Sequence, residues 1–585
     1  LHFILIGKKN ENESEINEKL LNSPEAPGLI SRKAIKYEIG NFLIFIYPYD
    51  HIDHEVSGYS YSCDSDELLL INGLVNVNHD LRDPDIQKFF QQLDDSSQLM
   101  GDYQVIKLDK NGNGFIKTPS ISIRQLFFYE DENYTVLSTD IKLIVDGISK
   151  FKLKPFVDHF DIDFIEDSVF REWATRNYPE STIFKEIKRV FPHDIKYFKE
   201  GKIVIERKDS IEIPQWFRDK YRDDKSKLYD DYYEFLLNFT EINLLNLREN
   251  YKKVILGLTG GIDSRLNFAI LHKVCKKHEI PFVCFVTGND THPDVVLAKK
   301  LTETIGVEFQ INSPEKKVRP NTTSFCDYAQ TFFMSWGDFN SKNFDPGYNR
   351  QINGLDVLVL LGFDAYKRAD IPKIRAGNRW SARRALYSKN FFFPLLFTNY
   401  DLWFGLLFGE QKQKDAYKEL AYEILKRSEP KLLDIPLAGD SLPQVDVEPY
   451  LTTADSKHHA KEPFLWDYNL VKKNLKPLLS KNDLGTKGKL LLSMLKISEL
   501  DYFLNKKLEE KIDLYREKKI PALKCIKELW KIKKSINYPK TKTRVTMTKE
   551  LMKDPYIPKL QILMDFAIVA DKRSFEEVEK FYKKN

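Results

Sequence analysis

Asp263, Ser264 and Thr259 flank the pair Gly260-Gly261 within one short stretch. Glycines let backbone amides approach a phosphate closely, and hydroxyls can donate to its oxygens. A carboxylate in the same place would repel a phosphate unless a cation stands between them. Mg2+ bridging Asp263 to phosphate oxygens removes that conflict. The elements such a set requires lie on either side of it. Val254 to Leu258 is a short apolar, β-branched run of the kind a buried parallel strand shows. Leu266, Ala269, Ile270 and Val274 then recur at helical spacing. The pattern predicts strand, glycine turn and helix start, with the first amides of the helix and the positive end of its dipole aimed at an anion. The plainer alternative is a structural turn capped by Asp263 and Ser264.

Thr259-Gly260-Gly261-Ile262-Asp263-Ser264 resembles the Ser-Gly-Gly-x-Asp-Ser signature of the PP-loop ATP pyrophosphatases. It lacks the Gly-Lys-Ser/Thr ending of a Walker A loop. The resemblance implies ATP cleaved between its α- and β-phosphates, with ATP and Mg2+ as cofactors. It implies Leu256, Leu258, Thr259, Gly260, Gly261, Asp263 and Ser264 as ATP and pyrophosphate contacts. Pro281 to Gly288 reads as a second parallel strand. In a doubly wound sheet the ligand lies beyond the carboxyl ends of adjacent strands, which makes Val286 and Thr287 the expected wall for adenine. Asp294, Ala298 and Leu301, with Gly306 after them, continue as a helix.

Arg265-Leu266, together with the long chain on both sides, resembles the asparagine-synthetase-like branch. Members of that branch adenylate a carboxylate and let an amine displace AMP to form an amide. Asp356 to Asp364 reads as a third strand, where the branch has a Gly-x-Gly-x-Asp-Glu turn. Gly362-Phe363-Asp364 is a shortened version without the Glu. By the resemblance Gly362 contacts pyrophosphate and Asp364 is a second, catalytic Mg2+ ligand that assists the amine's attack, with a plain turn Asp as the alternative. Tyr366 is a candidate for proton transfer. Lys457 stands where the branch places a lysine that stabilises the tetrahedral intermediate and pyrophosphate; the alternative is a solvated surface lysine.

Residues 1 to about 205 are β-rich, with short strands at Phe42–Tyr47, Glu67–Ile71, Tyr103–Leu108 and Tyr134–Ser138. Leu1 to Gly7 reads as a first strand rather than a signal peptide, being short, apolar and without a basic start. Asn72-Gly73-Leu74, Gly101-Asp102-Tyr103, Arg124 to Tyr129 and Ser138 to Lys142 resemble successive segments of the glutaminase domain of asparagine synthetases. That resemblance implies an Ntn-type αββα sandwich. The chain departs from it where chemistry would occur. It begins Leu1-His2 and has no cysteine before Cys63, so no thiol stands ready to attack an amide. Leu74 replaces a glutamate, and Arg124 lacks its acidic neighbour. The expectation is a degenerate glutaminase domain retained as a scaffold, with glutamine not hydrolysed.

The chain has 585 residues, too many for one core. The expected division is 1–205, a degenerate glutaminase-like domain; 206–465, the ATP-binding synthetase domain; and 466–585, a Lys-rich helical extension. The fold class is thus α/β multidomain, an Ntn-type sandwich followed by a PP-loop, adenine nucleotide alpha hydrolase-like domain with a helical C-terminus. A charge balance of 90 basic against 86 acidic residues gives no argument for nucleic acid. No run approaches the ~18 apolar residues of a membrane span. Five scattered cysteines argue for a reducing cytoplasm.

The function these observations favour is an ATP-dependent, AMP-forming amide ligase, for instance one making a macrolactam, a peptide or a natural-product amide. Its partners would be a small-molecule or peptide carboxylate, and a second copy of the chain or a peptide or biosynthetic partner protein. An asparagine synthetase or sugar-acid amidating enzyme using ammonia, and a nucleotide-binding scaffold without turnover, are the alternatives.

Overall fold

The structure, a computed structural model, describes residues 2–9, 16–21, 34–47, 59–63, 67–77, 99–119, 126–161, 164, 180–208, 212–246, 248, 251–288, 290–312, 357–361, 399–408, 413–437, 572–574 and 577. These residues form a mixed α/β protein.

The first part is built from short strands rich in Ile, Leu, Phe and Tyr. They are β1 (His2–Lys8), β2 (Ile35–Ile39), β3 (Phe42–Tyr47), β4 (Tyr59–Cys63), β5 (Glu67–Val77), β6 (Leu99–Asp109), β7 (Gly114–Lys117), β8 (Leu126–Glu130), β9 (Tyr134–Ser138), β10 (Ile187–Val190), β11 (Ile195–Lys199) and β12 (Lys202–Glu206). Three helices accompany them, α1 (Glu18–Leu21), α2 (Ile141–Gly147) and α3 (Lys150–Leu153). The strands make two six-stranded sheets in the orders β10-β8-β9-β1-β3-β2 and β12-β11-β7-β6-β5-β4. Pairing within both is antiparallel, for example Ile4 opposite Phe45 and Leu70 opposite Ile106.

Alternation along each strand explains how the layers stack. Phe3, Leu5, Ile44 and Ile46 of one sheet share a core with Leu68, Leu70, Ile106 and Phe198 of the other. The intervening Ile4, Ile6 and Phe45 are also fully buried, and α2 packs on β9 and β1. An unbroken apolar run such as Phe3 to Ile6 is what a strand covered on both faces needs. Helix on sheet on sheet gives three of the four layers expected; a fourth is not seen among the described residues.

The second part contains α4 (Gln215–Tyr221), α5 (Lys225–Asn246), α6 (Ile262–Lys277), α7 (Pro293–Ile305), α8 (Asn399–Phe408) and α9 (Gln413–Ser428), followed by a 3-10 turn at Pro430–Asp434. Its sheet is parallel and has four strands, β13 (Lys253–Gly257), β14 (Phe282–Thr287), β15 (Glu308–Asn312) and β16 (Val357–Leu361). One continuous core runs from Phe217 through Tyr232, Phe239, Leu256, Leu266, Cys284 and Leu301 to Ile424 and Leu432.

The strand order β15-β14-β13-β16 matters most for function. The chain enters at β13, steps outward through α6 to β14 and through α7 to β15, and later returns to the other side of β13 as β16. The strand order therefore reverses between β14 and β16 on either side of β13, and such a switch point opens a crevice at the carboxyl ends where ligands bind. The segment after β13 is the one predicted from sequence to hold an anion. No helix among the described residues is long and apolar enough to cross a membrane.

Candidate anion-binding site

The loop from Leu258 to Ser264 joins the carboxyl end of β13 to the first turn of α6. The Leu258 amide still donates to the Phe285 carbonyl of β14 at 2.9 Å, so the turn begins only after it. Gly261 is the N-cap of α6 and supplies no capping side chain. The amides of a 16-residue helix are thus presented at a switch point without a side-chain cap. That is the arrangement an anion completes.

The loop is braced from within. The Thr259 amide donates to Ser264 Oγ at 3.1 Å, and Ser264 Oγ donates to the Thr259 carbonyl at 3.0 Å. The two hydroxyls lie 2.9 Å apart, and the Gly261 amide donates to Thr259 Oγ1 at 3.3 Å. The Ser264 hydroxyl has two carbonyl acceptors inside the loop, those of Thr259 and Gly261, and Ser264 is 4% exposed, so as it stands the side chain braces the loop. Thr259 is exposed and remains a candidate contact.

Gly261 and Gly288 differ in what they are for. A β-carbon on Gly288 would come within 2.9 Å of Val295 Cγ2, so α7 packing on the end of β14 requires that glycine. Gly261 has φ −77° and ψ 160°, which any residue adopts. A β-carbon there would meet only Thr259 Oγ1, at an ordinary 3.5 Å. Nothing in the described chain demands a glycine at 261, and its bareness leaves room beside the loop amides.

Two carboxylates border the loop. Asp263 sits in the first turn of α6, 7% exposed, and its backbone carbonyl accepts from Asn267 Nδ2 at 3.1 Å. Asp294, in the first turn of α7, accepts the Gly260 amide hydrogen on Oδ1 at 2.9 Å. Its own amide donates to His292 Nδ1, the cap of α7. In the sequence Asp294 stands in a helical pattern that resembles the family's Asp-x-x-x-Ala. Its contact with Gly260 arises because α7 begins beside the loop, and nothing local signals that. Mg2+ is held by one or two carboxylates together with substrate phosphates, and Asp263 fits that role. Among the described residues no three His, Cys, Asp or Glu side chains cluster as a metal cage.

Leu256 and Leu258 are fully buried, and Val286 is 5% exposed; all three belong to the core. Their side chains serve packing, so only their backbone is left to meet a nucleotide. Thr287 ends β14 opposite Asn312. The described part of β16 ends at Leu361, opposite Gly257. Gly362, Asp364, Tyr366 and Lys457 lie outside the described residues.

Arg265, which the sequence marks only by family resemblance, is 1% exposed and among the largest fully buried side chains. Cys275 and Cys284 are free, buried thiols of the same core, and burial pushes Cys275 up to about 12. They are packing residues.

No family model and no curated protein matches the sequence. Among solved structures the chain is similar to the NMN synthetase from Francisella tularensis, at 17% identity over 36% of this chain and 71% of that one, with a TM-score of 0.22. It is similar to a U34-tRNA thiolase from Methanococcus maripaludis, at 17% identity over 31% and 68%, with a TM-score of 0.16. It is also similar to a glutamine-dependent NAD+ synthetase from Acinetobacter baumannii, at 17% identity over 62% and 52%, with a TM-score of 0.21. This chain thus spans about half of that last protein's length. None of the three is an asparagine synthetase, and TM-scores at this level carry no argument about fold or activity.

Proposed function

We propose that the protein is an ATP-dependent ligase that cleaves ATP between the α- and β-phosphates, adenylates a substrate carboxylate and transfers the acyl group to an amine. One observation carries the reading: an uncapped helix start and a bare Gly261 at the switch point of a parallel sheet, with the Asp263 carboxylate in the helix's first turn. The loop amides and the dipole of α6 would bind pyrophosphate and stabilise the charge that develops on it as the α–β bond breaks. Asp263 would hold Mg2+, which supplies charge neutralisation on the phosphate oxygens when bound. Ser264 and Thr259 keep the turn in shape. The carboxylate attacks the α-phosphorus, pyrophosphate leaves, and an amine then displaces AMP.

We take the sandwich up to about residue 205 as a scaffold domain and the parallel sheet that follows as the ligase domain, in keeping with their separate cores. Leu74 and the missing acid before Arg124 favour an amine carried by a substrate over one released from glutamine. A carboxylate and an amine on peptides or natural products fit this reading.

The test is to incubate the full chain with ATP, Mg2+ and panels of carboxylates and to follow pyrophosphate and AMP. Their joint release, dependent on a carboxylate, supports the reading. Release of ADP and phosphate instead would contradict it.

A further inference from the structure

Arg265 lies one turn inside α6, behind the loop, with its guanidinium away from water. Nη1 donates to the carbonyls of Leu432, at 2.8 Å, and Ile435. Nη2 donates to the carbonyls of Pro436, at 2.8 Å, and Gly260, at 3.3 Å. All four acceptors are backbone carbonyls, and no carboxylate pairs with it among the described residues. Burial pushes its pKa down to about 10, and taking a cation out of water without a counter-charge is costly. A structural clamp alone could be made more cheaply, so the charge calls for a further reason.

The Gly260 carbonyl supplies one. In a trans peptide the carbonyl of Gly260 and the amide of Gly261 point in opposite directions. Nη2 draws the carbonyl into the protein, and the Gly261 amide accordingly faces outward, to Thr259 Oγ1 on the exposed side. A peptide between two glycines has little steric resistance to turning over. Turned over, it would present a carbonyl oxygen where an anion needs an amide.

The same guanidinium is planar and rigid, so its other bonds fix the Pro430–Pro436 segment relative to that peptide. The helix also holds the residues just before that segment: His272 Nδ1 lies 2.8 Å from Glu429 Oε1, and Lys273 Nζ donates to the Arg427 carbonyl at 3.3 Å.

We propose that Arg265 is a positioning residue that locks the Gly260–Gly261 peptide with its amide outward and couples anion binding in the loop to the segment from Leu432 to Pro436. The proposal rests on the loop being the pyrophosphate site. Locking at one end implies tightening at the other, because a coupling between two sites is reciprocal.

The experiment uses the full chain and inorganic pyrophosphate with Mg2+ as the ligand. Wild type is expected to bind it, and binding should slow hydrogen exchange of the amides between 430 and 437. Arg265→Lys keeps the charge but cannot fork to the carbonyls, and should weaken binding by about tenfold or more, the scale of a lost charge-assisted hydrogen bond. In Arg265→Ala, millimolar guanidinium should restore part of the binding, which a merely structural role would not produce. Equal affinity in wild type and Arg265→Lys overturns the proposal and leaves the pyrophosphate site standing. No binding by wild type overturns both. Should the variants fail to fold, wild-type exchange decides: protection at 430–437 that does not respond to pyrophosphate overturns the coupling.

Discussion

Asp294 Oδ1 accepts the Gly260 amide hydrogen at 2.9 Å, although the two residues stand on different helix connections. A carboxylate thus occupies one of the donors that a phosphate would use. The Gly260 amide is satisfied by a side chain, and an incoming phosphate would meet a like charge there. Under the proposed function, Mg2+ brought with the phosphate would answer that repulsion.

Asp294→Asn should therefore bind inorganic pyrophosphate more tightly than wild type when no metal is present. The amide oxygen keeps the bond to Gly260 while the charge is lost, and the gain should be about three- to tenfold for a partly exposed group. Titration calorimetry in the presence of a chelator reads this. Unchanged or weaker binding would show that Asp294 does not compete with the anion.

Asp263→Asn removes the proposed Mg2+ ligand at almost constant shape. ATP–pyrophosphate exchange should fall by about 100-fold or more, with the melting temperature within ~3 °C of wild type. Exchange at the wild-type rate would remove Asp263 from the mechanism.

Strands buried on both faces were the most legible part of the fold. Phe42–Tyr47 and Tyr134–Ser138 occur at the bounds their apolar runs suggest. In α5 the residues Leu228, Tyr232, Phe235 and Phe239 recur at helical spacing, and all four are buried. The hairpin of β11 and β12 was not legible. Its turn, Glu200 at φ 51° and Gly201 at φ 76°, places a glutamate where asparagine or aspartate usually signals such a turn. The strand–glycine–helix site could be read because its residues are contiguous. Arg265 and Asp294 could not, because their partners lie 5 to 171 and 34 positions away and depend on how α6, α7 and the segment after α9 pack.

A pH dependence follows from Asp140, which caps α2 by accepting the Lys142 amide hydrogen. Burial raises its pKa from 3.8 to about 6, against the opposing pull of the Lys142 amide and charge, and Asp146 adds to the rise. The folded state therefore holds a proton that the unfolded state releases between these values. Stability from this group is intact below the unfolded pKa and falls as pH rises toward about 6, by an amount on the order of 3 kcal/mol. Asp140→Asn keeps the cap without the charge. In denaturant unfolding, its advantage over wild type should grow from pH 4 to pH 7. A constant difference would place Asp140 outside this linkage.

Gly261→Ala asks whether the loop after β13 leaves its space for an anion. The backbone at 261 accepts any residue, and the added methyl meets only Thr259 Oγ1 at 3.5 Å, so the fold should not suffer. Binding of Mg2+–pyrophosphate to wild type and variant, measured side by side with their melting temperatures, gives the answer. Unchanged melting is expected, with an affinity lowered by about tenfold or more, since the methyl would take the room the phosphate needs. Equal affinity in the two proteins, or no binding by wild type, would contradict it.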